Sequence, residues 1–284
     1  MTRIGIMQGR LVPPMNGRIQ AFPWDSWEAE FRLAGSAGVN CIEWIYDCGG
    51  EALNPLGADE GVARIQALMA QYGVAVRSVC ADYFMERPLM RTVDREFAHR
   101  LAKLEWLLGQ CRKVGIGRVV LPFVDQSAIL TPLDEHCVVE SLHRVLPVAE
   151  RLGVELHLET SLSPQAFRAL LARVPTAFLS VNYDSGNSAA IGYRPQDEFA
   201  AYGERIGSVH IKDRQRGGTT VPLGTGDTDF PAVFSGLKAL GYRGDFILQV
   251  ARGAPGDEVA WARSNRQFVE TYWEAGGDGP TADR

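Results

Sequence analysis

The chain has few of the features that would assign it to a special class. It has no apolar run near the eighteen or so residues of a membrane-spanning helix, and the short N-terminal run around Ile4–Met7 is broken by glycine and followed by Arg10, a poor secretory leader. Cysteine is sparse: five residues, at 41, 48, 80, 111 and 137, an odd number without Cys-x-x-Cys spacing, which disfavours a disulfide framework or a structural zinc site. Histidine is equally scarce, with five in 284 residues. No basic stripe is visible, and the net charge of -5 argues against a nucleic-acid binder. Low-complexity segments and linkers are also missing, so nothing marks a second domain. These absences lead us to expect a cytoplasmic protein without membrane or nucleic-acid partners.

What is present is a regular alternation. Short apolar runs at 3–8, 40–47, 74–80, 118–123, 154–159, 178–184, 205–211 and 244–250 alternate with helical patterns, most of which stop at a glycine. Eight strand–helix units in sequence make parallel neighbours with right-handed crossovers, and eight close a sheet. The expected fold is a single (β/α)8 TIM barrel, an α/β domain over residues 1–275, with a polar tail at 276–284 expected to be disordered.

Four of the late runs end in polar side chains: Val154-Glu-Leu-His157-Leu-Glu159, Phe178-Leu-Ser-Val-Asn-Tyr-Asp184, Val209-His210-Ile-Lys212 and Asp245-Phe-Ile-Leu-Gln249. Strand parity places Glu155, His157 and Glu159 on one face and Ser180, Asn182 and Asp184 on another such face, with Leu156, Leu158, Leu179 and Val181 turned to the helices. The polar set therefore points into the barrel, where buried charge needs a partner. A divalent cation held by Glu159, Asp184, His210 and Gln249 would supply one.

The chain from Arg3 to about Trp273 resembles the xylose isomerase-like TIM barrels, a group of sugar-phosphate isomerases and epimerases that includes ketose 3-epimerases and inosose dehydratases. Ile42-Glu43, Leu158-Glu159, Asp184-Ser-Gly-Asn187, Val209-His210-Ile-Lys212-Asp213, Leu223-Gly-Thr-Gly226 with Asp229-Phe230, and Gly241-Tyr-Arg-Gly244 leading into Phe246-Ile-Leu-Gln249 carry the resemblance. It implies one metal ion on Glu159, Asp184, His210 and the residue at 249, and a homo-oligomer, a dimer or tetramer. Two positions depart from the ketose epimerases: Gln249 stands where they have a second glutamate, and Asn187 where they have a histidine. A glutamine carbonyl can still ligate a hard cation, but it cannot accept a proton at neutral pH.

One base suffices for enediolate chemistry on a sugar or sugar phosphate. A metal ion (Mn2+, Mg2+ or Co2+, with Zn2+ as a further choice for this donor set) acidifies the α C–H, and Glu159 or Glu43 removes the proton. Return to the neighbouring carbon is isomerisation. Return on the opposite face is epimerisation and needs a second acid, for which His157 and Lys212 are the candidates; loss of a β-hydroxyl makes a dehydratase. Asn187, Arg10, Arg18, Arg214, Arg216 and Arg252 are candidates for substrate or phosphate binding, and Trp44, Tyr46, Tyr83 and Phe84 for stacking on a sugar ring. A trinuclear zinc phosphodiesterase on the same barrel is disfavoured because His99, His136 and His143 fall on helices. A sugar-binding barrel without catalysis is the remaining alternative.

Overall fold

In a computed structural model, residues 3–274 are described; the 276–284 tail expectation lies outside them. Eight parallel strands close a barrel: β1 (Ile4–Met7), β2 (Cys41–Ile45), β3 (Ala75–Cys80), β4 (Arg118–Phe123), β5 (Glu155–Thr160), β6 (Leu179–Asp184), β7 (Ile206–Ile211) and β10 (Phe246–Leu248). A two-stranded antiparallel ribbon, β8 (Asp213–Arg214) with β9 (Thr220–Val221), stands on the loop after β7. The barrel is sealed where β1 pairs with both β2 and β10. At that seam Gly5 leaves no room for a side chain: a Cβ there would lie 2.4 Å from Cys41 Sγ and 2.8 Å from Ile247 Cδ1.

The helices are α1 (Ala29–Ala37), α2 (Asp59–Tyr72), α3 (Tyr83–Glu86), α4 (Asp94–Val114), α5 (Pro132–Leu152), α6 (Pro164–Ala172), α7 (Ser185–Ile191), α8 (Pro195–Tyr202), α9 (Phe230–Ala239) and α10 (Glu258–Glu274). Helix α5 shows how local chemistry sets an element. Thr131 and Asp134 form a reciprocal capping box, Pro132 occupies the first turn, and Gly153 ends the helix at φ 66°. Val138, Val139, Leu142, Val145, Leu146 and Ala149 form its buried face. Burial of Leu156, Leu158, Leu179 and Val181 between sheet and helices agrees with strand parity.

Several elements differ from the sequence reading. The spacing of Trp27, Phe31 and Ala34 with a stop at Gly38 suggests a helix from Trp24 to Gly38, but it begins only at Ala29, because Trp24 and Trp27 turn onto Phe22 and Trp44, with ring centroids 4.5 and 5.5 Å apart in the Phe22–Trp24 and Trp27–Trp44 pairs. The last strand is shorter than 244–250, although Gln249 still donates its N–H to Ile211 O at 3.0 Å. The short helices α3 and α7 and the ribbon carry too few residues for a periodic signal.

The long loop after β1 is fixed by Glu30, a fully buried carboxyl on α1 whose Oε1 accepts the N–H groups of Gly9 at 2.7 Å and Leu11 at 3.3 Å. Burial pushes Glu30 up to about 8 despite those bonds and the nearby Arg252 and Arg10. A raised carboxyl contributes stability that is fully present below its unfolded value and lost as pH rises through 8. Relative to Glu30→Gln, the wild type should therefore lose about 1.4 kcal/mol of unfolding free energy per pH unit across roughly pH 4.5–8. Denaturant melts of both proteins across that range test this; a difference independent of pH would contradict it.

Candidate active site

The C-terminal ends of the strands open into a cavity of about 1000 Å³. Glu159 is the penultimate residue of β5, Asp184 closes β6 and His210 lies opposite Asp184 in the β6–β7 register, so three consecutive strands deliver one side chain each to the cavity base. One ligating atom from each lies within 4.8 Å of the others, and this is the only such group of acidic, cysteine or histidine side chains among the described residues. All three are buried.

His210 is oriented from behind. Its Nε2 lies 2.6 Å from Oε1 of Glu43, which projects from β2 and has no solvent exposure. Its Nδ1, 3.2 Å from Glu159 Oε2 and 3.9 Å from Asp184 Oδ2, makes no hydrogen bond. An imidazole held by a carboxylate on one nitrogen, with the other turned toward two further carboxylates, is the arrangement of a metal-ligating histidine. Burial opposes charge on His210, but Glu43 and Glu159 outweigh it and push the ring up to about 10. Burial likewise opposes charge on Glu43 and Glu159, and His210 more than offsets it, leaving both carboxyls below their ordinary value.

The other ligand positions are held as firmly. Glu159 accepts from Asn187 Nδ2 at 2.6 Å and Asn182 Nδ2 at 2.9 Å. Asp184 Oδ1 accepts the Asn187 N–H at 2.8 Å, while Lys212 Nζ donates to its Oδ2 at 2.8 Å. Gly186 permits that approach, since a Cβ there would meet Lys212 Cγ at 2.7 Å. Gln249 donates its Nε2 to Gln20 Oε1 at 3.1 Å, and its own Oε1 is buried without a partner. Two orphaned buried atoms, His210 Nδ1 and Gln249 Oε1, together with the carboxylates of Glu159 and Asp184, make a mixed oxygen–nitrogen set that fits a divalent cation.

The cavity wall includes Arg18, Asn187, Lys212 and Arg214 from the candidates. Arg214 is clamped by Gly218 O at 2.7 Å and Asn187 Oδ1 at 2.9 Å, so it positions the Asn187 amide against Glu159. Four sequence expectations are corrected by placement. His157 shares the phase of Glu159 but sits one layer lower, bonded to Ser208 Oγ at 2.7 Å and Glu155 Oε2 at 3.0 Å, away from the cavity wall. Arg10 and Arg252 lie outside the cavity wall and pin the β1 loop: Arg10 Nε donates to Val250 O at 3.0 Å and its Nη2 to Gln20 Oε1 at 3.3 Å, and Arg252 Nη1 donates to Val12 O at 2.8 Å. Arg216 lines a neighbouring cleft with Tyr193 and Arg194. Trp44, Tyr46, Tyr83 and Phe84 are fully buried packing residues, outside the cavity wall.

The sequence reading did not name Gln20 or Asp82, and it gave Asn182, although turned inward, and Asp213, although part of a motif, no role of their own. Asn182 joins Glu159 to the layer beneath through Ser208 Oγ at 2.7 Å. Asp213 accepts the N–H groups of Gly224, Gly226 and Thr228 at 2.8, 2.9 and 3.1 Å and so shapes the glycine-rich loop next to the ribbon. His99, His136 and His143 are exposed on α4 and α5 and do not line the cavity.

The profile of the family described as xylose isomerase-like TIM barrel matches residues 31–272. The chain belongs to this family. Curated members similar to it include the L-ribulose-5-phosphate 3-epimerase UlaE of Salmonella paratyphi A, 27% identical over 256 residues that cover 84% of this chain and 88% of the relative. The corresponding protein of Escherichia coli strain SE11 is 26% identical over 262 residues, covering 87% and 89%. Among solved structures, an L-ribulose 3-epimerase superposes with a TM-score of 0.76 at 20% identity, covering 97% of this chain and 96% of that one. The IOLI protein, solved with a bound zinc atom, gives 0.76 at 16% identity, covering 96% and 99%. These structural likenesses show that the family's barrel extends over essentially the whole described chain.

Proposed function

We propose that this chain is a divalent-metal-dependent sugar epimerase or isomerase, acting on a ketose or ketose phosphate by removing the proton next to the carbonyl. The observation that carries the reading is the pair of orphaned atoms, His210 Nδ1 and Gln249 Oε1, beside Glu159 and Asp184 at the base of a cavity large enough for a sugar. The naming of the curated relatives as ketose-phosphate epimerases supports the substrate class.

Glu159, Asp184, His210 and Gln249 would hold the ion, with Mn2+, Mg2+, Co2+ or Zn2+ compatible with these donors. Bound there, it supplies a Lewis acid that lowers the pKa of the C–H next to a chelated carbonyl. Glu159 is the base: its carboxylate is kept ionised by His210 and aimed by two amide donors, and it lines the cavity. Glu43 acts through His210, holding the ring in place. Lys212 neutralises Asp184, and with Arg18 and Arg214 gives the wall a positive side suited to hydroxyls or a phosphate. We further take the protein to be cytoplasmic and a dimer or tetramer; no described helix is long and apolar enough to cross a membrane, and Val93, Leu130 and Leu133 offer exposed apolar surface to a second copy.

A second reading, β-elimination of water from a keto sugar, draws on the amide at 249, which leaves Glu159 as the one strong base among the ligands. Turnover of L-ribulose 5-phosphate, L-ribulose and D-fructose tests both. Formation of an epimer or isomer, abolished by EDTA and restored by Mn2+, is the expected outcome. A dehydrated product would favour the second reading, and turnover indifferent to chelation would contradict both.

A further inference from the structure

Epimerisation requires a proton to leave one face of a carbon and another to arrive on the opposite face. Gln249 cannot deliver it, since an amide neither holds nor accepts a proton at neutral pH. The structure offers a carboxyl one side chain away. Gln249 Nε2 donates to Gln20 Oε1, and Gln20 Nε2 donates in turn to Asp82 Oδ2 at 2.7 Å. Asp82 follows β3 and lines the same cavity as Glu159. Strand β4 stands between β3 and β5, so the two carboxyls come from strands that are not neighbours.

Most other ionisable groups on the wall are committed, and Asp125 is exposed to solvent rather than buried beside the ligand set. Lys212 is tied to Asp184. Arg18 lies 3.8 Å from Glu86, and both are about half-exposed at the rim. Burial and Asp82 itself keep the Cys80 thiol protonated. Burial also pushes Asp82 up, to about 6, against its hydrogen bonds from Gln20 and Cys80 and with help from the charges of Asp47 and Glu159. A carboxyl in that range can give and take a proton near neutrality.

We propose that Asp82 is the second proton carrier of this site, protonating the carbon that Glu159 has deprotonated, on the face that Glu159 does not reach. This rests on the reading of the site as an enolising sugar enzyme and assigns it to epimerisation. In one direction the substrate C–H bond breaks, its proton goes to Glu159 and its electron pair is delocalised as the enediolate. The Asp82 O–H bond then breaks and its proton forms the new C–H bond. Glu159 is left protonated and Asp82 ionised; Glu159 releases one proton to cavity water and Asp82 takes one up. In the reverse direction the two exchange roles.

The test uses the full Mn2+-loaded chain in D2O with whichever of L-ribulose 5-phosphate, L-ribulose or D-fructose the wild type turns over. Wild type should give the epimer carrying deuterium at the inverted carbon. Asp82→Asn, of nearly the same shape, should lose inversion by about 100-fold or more, yet still wash deuterium into recovered substrate, because Glu159 continues to remove and return a proton on its own face. Asp82→Glu should recover part of the inversion. Inversion by Asp82→Asn within a few-fold of wild type would overturn the proposal, as would equal loss of inversion and exchange in a variant with wild-type metal content. Failure of the wild type to exchange any of the three sugars would overturn the reading of the site, and this proposal with it.

Discussion

Glu159→Gln lowers kcat by about 10²–10⁴-fold while leaving metal binding and folding measurable. The replacement has the same reach and retains a carbonyl oxygen for a cation, but it cannot take up a proton. It also sets an NH2 group against either Asn182 Nδ2 or Asn187 Nδ2, which in the wild type both donate to Glu159, at 2.9 and 2.6 Å. Some loss of metal affinity should follow, so the comparison belongs at saturating Mn2+. Under that condition a base role moves kcat with little change in KM, whereas a purely structural role is repaired by added metal. Turnover within a few-fold of wild type would remove Glu159 from the chemistry.

His210→Ala should cost both metal and stability. It deletes one ligand outright and leaves Glu43, which has no solvent exposure, without the imidazole that opposes its burial. Breaking a buried charge pair from one side costs about 3–5 kcal/mol. Glu43→Gln is the milder companion, since it weakens the support behind the ring and leaves all four ligands in place; about 10–100-fold in metal affinity is the expected scale. Because Glu43 and Glu159 push His210 up to about 10 in the ion-free protein, a bound cation competes with a proton. Apparent metal affinity should therefore rise with pH through neutrality, by at most about tenfold per unit for one proton. Isothermal titration of both variants with Mn2+ at several pH values checks these statements. Unchanged affinity in His210→Ala would remove the residue from the ligand set.

Strand parity was enough to turn Glu159, Asp184 and His210 inward, because apolar neighbours at 156, 158, 179, 181, 209 and 211 occupy the alternate phase. Parity reports the face and not the depth. His157 has the same phase as Glu159 but lies two residues, and so one layer, nearer the barrel floor. The arginines misled for a related reason: a cation in a barrel loop reads the same whether it meets a substrate or, like Arg10 and Arg252, backbone carbonyls. The bridge from Gln249 through Gln20 to Asp82 joins positions 229 and 62 residues apart. No local periodicity encodes such a contact; only closure of the barrel creates it. A carboxylate just past a barrel strand was nevertheless a readable signal at Asp82.

The proposed function turns on one divalent cation held by Glu159, Asp184, His210 and Gln249. Anomalous diffraction from crystals of the protein grown with Mn2+ tests it most directly. One strong peak is expected at the cavity base, within about 2.0–2.6 Å of a carboxylate oxygen of Glu159 and of Asp184, His210 Nδ1 and Gln249 Oε1. A peak bound elsewhere, or none at saturating Mn2+ with Nδ1 and Oε1 still orphaned, would contradict it.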